Sequence, residues 1–296
     1  MKSIFLILVL VTSFTCYAAE ESRSLKVSAN RIVAIDWTHV ETLLALGVTP
    51  LGIAQKQDYN AWVKEPKIPN GVLDLGLRTQ PNLELLAELA PTQILISPMF
   101  SVLTPQLQKI TKVTEIGLYK KGNVNWQAME SMTRELAMNI GVEKEAERFI
   151  LQKRDEILAL KQQVPSDFPP VLMVQFMDAN HLRVFGDNSL YKTAVNELGI
   201  ESAWQGTTNQ WGFSLVGINE LVGIDAQIVV IEPLPIGTEA ALEHNQLWQF
   251  MSQQSNYPVL RMPAVWSFGA LPSATRFARL FVRALSSNLI AKNNGE

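Results

Sequence analysis

From Arg31 onward, short apolar runs alternate with amphipathic stretches. Residues 31–35 predict a strand, 40–46 a helix stopped by Gly47, and 50–54 a second strand. Residues 82–89 carry helical spacing, and 93–96 read as an apolar strand closed by Ser97 and Pro98. Alternation of this kind predicts an α/β protein with parallel or mostly parallel sheets covered by helices. Residues 142–164 differ, because they contain no Pro or Gly and are rich in good helix formers. Ala146, Phe149, Ile150, Ile157, Leu160 and Val164 recur at helical spacing there. The predicted rod is roughly 35 Å long. Strands over 171–176, 182–185 and 227–231 follow it, with helices over 190–198 and 273–290.

Two passages echo each other across the rod. Residues 41–48 resemble 192–200, each a helix ended by Gly and followed by a β-branched residue. Glu84-Leu85 and the strand after it resemble Glu220-Leu221 and the strand after that pair. The expected organisation is a leader over 1–18, a first lobe over 19–140, a rigid connecting helix over 141–164 and a second lobe over 165–296. Such a pairing leaves a cleft between the lobes, where small ligands sit.

The first 18 residues read as a signal peptide: Lys2, an apolar run over 4–11, then Cys16-Tyr17-Ala18 before a cut at Ala19. Eight apolar residues are too few for a permanent span, which takes about 20. Lipidation at Cys16 would want small residues before it, and Phe14 and Thr15 fit that poorly. The mature chain is therefore expected to be exported and not membrane-spanning.

Net charge is 25 − 28 = −3, without the basic excess of a nucleic-acid binder. Cys16 is the one cysteine, and the histidines are His39, His181 and His244. His39 opens a helix, His181 falls at a hairpin turn and His244 in a polar stretch, so each reads as structural or solvated. Direct capture of a bare transition metal is not expected from so few ligands. No GxSxG, GxGxxG, HExxH or Gly-rich phosphate-loop signature is present, so no enzyme is expected.

Tryptophan changes the picture. Of seven, Trp126 and Trp248 sit in amphipathic helices and read as core, whereas Trp62, Trp211 and Trp266 lie in polar or turn-like contexts that place them on loops. Loop Trp either cap the sheets or line a ligand cleft at the carboxyl ends of strands. Arg78 follows an apolar segment and precedes a turn, so it emerges at a strand end. There it serves either a surface ion pair or the oxygens of a ligand.

At these residues the chain resembles the FhuD-like ferric-hydroxamate substrate-binding proteins of siderophore ABC importers. The resemblance runs from about Asn30 to Ile290. It rests on Asn30-Arg-Ile-Val-Ala-Ile, Trp62-Val-Lys-Glu-Pro, the Asp74–Leu86 stretch around Gly76-Leu-Arg78, Val184-Phe-Gly-Asp-Asn-Ser-Leu, the segment 203–212 ending in Asn209-Gln-Trp211-Gly, and Pro263-Ala-Val-Trp266. It implies two α/β lobes bridged by one long helix, with a shallow aromatic cleft. Arg78 is implied to hydrogen-bond hydroxamate oxygens around iron, with Trp62, Trp211 and Trp266 as walls and Trp37 and Asn209 beside them. Phe100 and Phe268 stand where the family carries Tyr, and Arg183 where an apolar residue is usual.

The implied cargo is an Fe(III)–siderophore complex whose own oxygens fill the metal's coordination sphere. The protein then needs no cofactor and no metal ligand. The implied partners are an ABC permease and its ATPase, met in the periplasm by a monomer. Glu220 is the docking candidate in the second lobe, and its first-lobe counterpart falls near the uncharged Gln106. The alternatives are cobalamin, haem or a catecholate siderophore on the same scaffold, and a secreted α/β enzyme.

Overall fold

A computed structural model describes residues 31–119, 124–254 and 257–293. The leader expected over 1–18, with Cys16, lies outside the described residues. In chain order the strands are β1 (Ile32–Ala34), β2 (Gly52–Ile53), β3 (Leu73–Asp74), β4 (Gly76–Leu77), β5 (Gln80–Pro81), β6 (Gln93–Ile96) and β7 (Lys112–Glu115), then β8 (Val171–Phe176), β9 (His181–Phe185), β10 (Phe213–Gly217), β11 (Gln227–Ile231) and β12 (Leu260–Met262).

They form two five-stranded sheets, ordered β3-β2-β1-β6-β7 and β10-β9-β8-β11-β12, and a β4–β5 hairpin. Every pairing in the first sheet is parallel. The second is mixed: β8, β11 and β12 run parallel, while β9 and β10 add antiparallel. Helices on both faces explain why the central strands are buried at every position and read as unbroken apolar runs.

The first helix is longer at its start than the apolar spacing predicts. It spans Trp37–Ala45, because the Asp36 side chain accepts the Thr38 N–H and caps it. The rod spans Glu143–Lys161, with Glu143 and Glu145 in its first turn and Lys161 in its last, matching the helix dipole. The final helix runs Leu271–Asn293 and packs against both the Glu143–Lys161 and the Trp37–Ala45 helices.

The largest hydrophobic core is therefore continuous across the two halves. Leu43 and Leu136 of the first belong to the same buried cluster as Phe149 of the rod and Phe277 and Phe281 of the last helix. Smaller cores lie on the outer faces of the sheets, one around Ile94 and Leu107, the other around Val174 and Trp248. Among the described residues no helix is long and apolar enough to cross a membrane.

Candidate functional site

Arg78 sits in the turn of the β4–β5 hairpin. Gly76 has φ +80°, a conformation that favours glycine, and the Asp74 carboxylate accepts its N–H at 3.0 Å. Gln55, itself left-handed, donates its N–H to the Gly76 carbonyl at 2.7 Å. Its Oε1 accepts the Arg78 Nε–H at 3.0 Å, while its amide nitrogen donates to Asp58 at 2.7 Å. Neither Nη of Arg78 has a protein acceptor among the described residues, so the fork stays open toward the cleft.

The guanidinium carbon lies 3.7 Å from the centre of the Trp37 ring, 5.4 Å from Trp266 and 5.8 Å from Phe100. Burial lowers its pKa, and the fields of Asp36 and Asp58 oppose the shift. An arginine remains cationic in this setting. Rings hold the cation in place while leaving its donors free.

Trp37 is buried and donates its Nε1–H to the Ala54 carbonyl at 2.9 Å. It meets Trp266 at a centroid separation of 4.8 Å. From Trp266 the rings continue to Phe268 at 5.2 Å and on to Trp211 at 5.8 Å. Tyr119 of the first lobe closes the row, 5.7 Å from Trp211 and 6.2 Å from Phe268. Its hydroxyl donates to the Ser267 carbonyl at 3.3 Å, and burial holds its pKa well above the ordinary phenol value. Trp266 Nε1 is buried and has no hydrogen-bond partner among the described residues.

Beneath the rings the surface turns polar. Asp36 accepts a short hydrogen bond from the Ser97 hydroxyl, and Thr38 donates to the Phe268 carbonyl at 2.7 Å. His39 is fully buried and donates Nε2–H to the Ile116 carbonyl at 2.9 Å, leaving Nδ1 without a partner among the described residues. Burial lowers its pKa, against the field of Asp36, so the ring is neutral at pH 7. Arg78, Trp211, Trp266, Phe268, Tyr119 and His39 all line one cavity between the lobes. Among the described residues no group of three or more His, Cys, Asp or Glu could hold a metal ion.

Two α/β lobes, one built on a parallel sheet and one on a mixed sheet, a connecting rod and a ring-lined cleft at the strand ends are the setting in which the family comparison is decisive. The family model described as "Periplasmic binding protein" matches residues 32–257. The chain belongs to that family.

This periplasmic binding protein is 36% identical over 261 residues to the iron(3+)-hydroxamate-binding protein FhuD of Escherichia coli (strain K12), covering 88% of each chain. Among solved structures, the siderophore-binding protein FhuD of Vibrio cholerae, bound to Fe3+-Desferal, superposes with a TM-score of 0.79 at 26% identity. That match covers 86% of this chain and 97% of the other. FeuA of Bacillus subtilis, complexed with ferri-bacillibactin, shares the fold at a TM-score of 0.69 and 17% identity, over 87% and 93% of the two chains.

Not every residue expected at the cleft of this periplasmic binding protein lines it. Arg78, Trp211, Trp266 and Phe268 do. Trp37, expected beside the walls, and Phe100 are buried against Arg78 and do not themselves line the cavity. Trp62 is not on a loop: it ends the Lys56–Trp62 helix, partly buried against the main core and outside the cavity lining. Asn209 is committed to its own loop, accepting the Trp211 N–H at 2.9 Å and the Phe213 N–H at 3.4 Å. Arg183 stacks on Phe213 at 4.7 Å, one ring removed from Phe268, and does not line the cavity. Glu220 is exposed on the 3-10 turn Ile218–Leu221.

Sequence reading missed Asp36, Ser97 and Tyr119, and took His39 as structural or solvated. Their shared signal is position: Asp36 follows β1, Ser97 follows β6 and Tyr119 follows β7, all at the carboxyl ends of parallel strands.

Proposed function

We propose that this chain binds a ferric hydroxamate siderophore in the interlobe cleft and delivers it to an ABC importer in the inner membrane. The observation that carries the reading is Arg78, held over Trp37 with its Nη donors unused and facing a row of rings that crosses both lobes. A hexadentate siderophore wraps its iron in hard oxygen donors, so the cargo presents an oxygen-rich centre and an apolar periphery. Rigid aromatic faces supply contact area at low entropy cost, and the charge-assisted fork orients the oxygens. Nothing in this scheme needs a protein ligand for iron or a catalytic group.

The 36% identity to a protein named for binding iron(3+)-hydroxamate supports the ligand class. In the proposed cycle the mature chain works as a periplasmic monomer after removal of residues 1–18. Its lobes, 19–140 and 165–296, stay fixed on the 141–164 connection, and Glu220 meets the permease.

Intrinsic tryptophan fluorescence, titrated with ferric Desferal, a ferric catecholate, ferric citrate, haem and cobalamin, tests the ligand class. Saturable quenching by the hydroxamate at the lowest concentration is the expected result. Tighter response to another chelate overturns the ligand class, and no response to any overturns the site. Arg78→Ala is expected to weaken hydroxamate binding ten-fold or more, about 1.4 kcal/mol or above, with an unchanged circular dichroism spectrum.

A further inference from the structure

A second cavity, of about 290 Å³, opens where the last helix meets the rod and the first helix. It is distinct from the cleft, sharing none of its lining residues. Phe149 and Pro272 supply apolar surface, and the polar groups on it are Lys153, Arg276, Arg279 and Glu65. The cations reach it from two helices, Lys153 from Glu143–Lys161 and both arginines from Leu271–Asn293.

The charges there do not balance. Glu156 accepts from Lys153 at 2.9 Å and from Arg279 at 2.8 Å, which satisfies one carboxylate with two cations. Glu65 is more than half exposed and stands 3.5 Å from Arg276 and 3.8 Å from Arg279, loose contacts in each case. Three cations therefore face two carboxylates, only one of which is tightly engaged.

Arg276 is the most telling member. Only 6% exposed, it donates one Nη–H to the Ala264 carbonyl, while its Nε faces Glu65 Oε2 at 3.5 Å without a well-formed hydrogen bond among the described residues. A buried guanidinium nitrogen whose acceptor is distant and solvent-exposed is costly, and an ordered water or an ion is one way such a group is satisfied.

We propose that this cavity is a binding site for a small oxyanion, of phosphate or carboxylate type, clamped by Arg276, Arg279 and Lys153. The anion neutralises the excess charge, gives Arg276 Nε a closer acceptor than Glu65 and displaces that loosely held side chain. Because it bridges the rod and the last helix, it braces the lobe junction from outside the ligand cleft.

Calorimetric titration of the full mature chain with inorganic phosphate, at ionic strength held constant with NaCl, tests this. Saturable binding is expected, weakened at least five-fold in Arg279→Gln and strengthened two-fold or more in Glu65→Gln, which removes the competing carboxylate. Arg78→Ala separates the two sites: phosphate binding retained in that variant supports the junction cavity, and binding lost there while kept in Arg279→Gln overturns it. Absence of saturable heat in the unmodified chain also overturns it. Sedimentation with phosphatidylglycerol vesicles, lost in Arg279→Gln but unaccompanied by binding of free phosphate, would assign the seat to a lipid headgroup and overturn the free-ion proposal. Circular dichroism of each variant checks that the fold is kept.

Discussion

The carboxylate of Glu41 accepts the backbone N–H of Ala270 at 2.7 Å, a contact between residues 229 positions apart in the chain. The Ser273 hydroxyl donates a short hydrogen bond to the same carboxylate. Glu41 lies on the Trp37–Ala45 helix and its partners open the last helix, so a fully buried acid pins one lobe to the other two residues beyond Phe268.

Burial pushes the Glu41 carboxyl up to about 8, against its hydrogen bonds to Ser273 and Ala270, which pull the other way. An unfolded Glu titrates near 4.5. The native state thus binds the extra proton between these values, and stability falls as pH rises through the window from 4.5 to about 8. Glu41→Gln should flatten that slope in urea melts while keeping the fold. Glu41→Ala should destabilise by about 1–3 kcal/mol for each donor left unpaired.

Close approach around the pin gives a second expectation. A Cβ at Gly269 would meet Ser273 Oγ at 2.5 Å and Glu41 Oε1 at 2.6 Å. Gly269→Ala should lower stability by about 1–3 kcal/mol through overpacking, read as a fall in melting temperature. At Gly212, with φ +79°, a Cβ would lie 2.4 Å from the Asn188 carbonyl oxygen. Because that loop carries Trp211, Gly212→Ala should weaken ligand quenching more than it lowers the melting temperature.

The shape of the charge at Arg78 matters as much as its sign. Lysine keeps the cation but loses both the fork and the planar stacking face over Trp37. Arg78→Lys should therefore lose most of the affinity that Arg78→Ala loses. Gln55→Ala, which frees the Nε tether, should cost about two- to five-fold, roughly 0.4–1 kcal/mol on the affinity scale. Fluorescence titration of the three variants side by side decides the order.

A core shared by both lobes resists hinge motion. Closing the cleft by more than a few degrees would shear the packing of Leu43, Phe149, Phe277 and Phe281, and packed interiors deform little. Small-angle scattering with and without ferric Desferal should give the same radius of gyration within error.

Much of the fold was legible because burial on both faces leaves a plain trace. The runs Ile32–Ala34, Gln93–Ile96 and Val171–Phe176 are apolar enough to announce interior strands, and Gly47, Gly141 and Gly199 mark helix ends by adopting positive φ. The edge strand β7 left no such trace, since Lys112-Val-Thr-Glu is half exposed, and with it Tyr119 went unseen. Trp62 misled for the opposite reason: the polar residues before it, including Gln57 and Asn60, are the solvent side of a short helix, not a loop.

By itself the sequence determined the parts: strand–helix alternation, a rod free of Pro and Gly, Trp211 and Trp266 on loops and an arginine at a strand end. These follow from local spacing and composition, which act over a few residues. Only the tertiary structure decided which parts meet. Residues 36, 78, 97, 119, 211 and 266 share a cavity because the sheet order sets their strand ends and loops side by side. That order arises from crossover packing between distant segments, a nonlocal balance of burial and chain entropy that no window of the sequence contains.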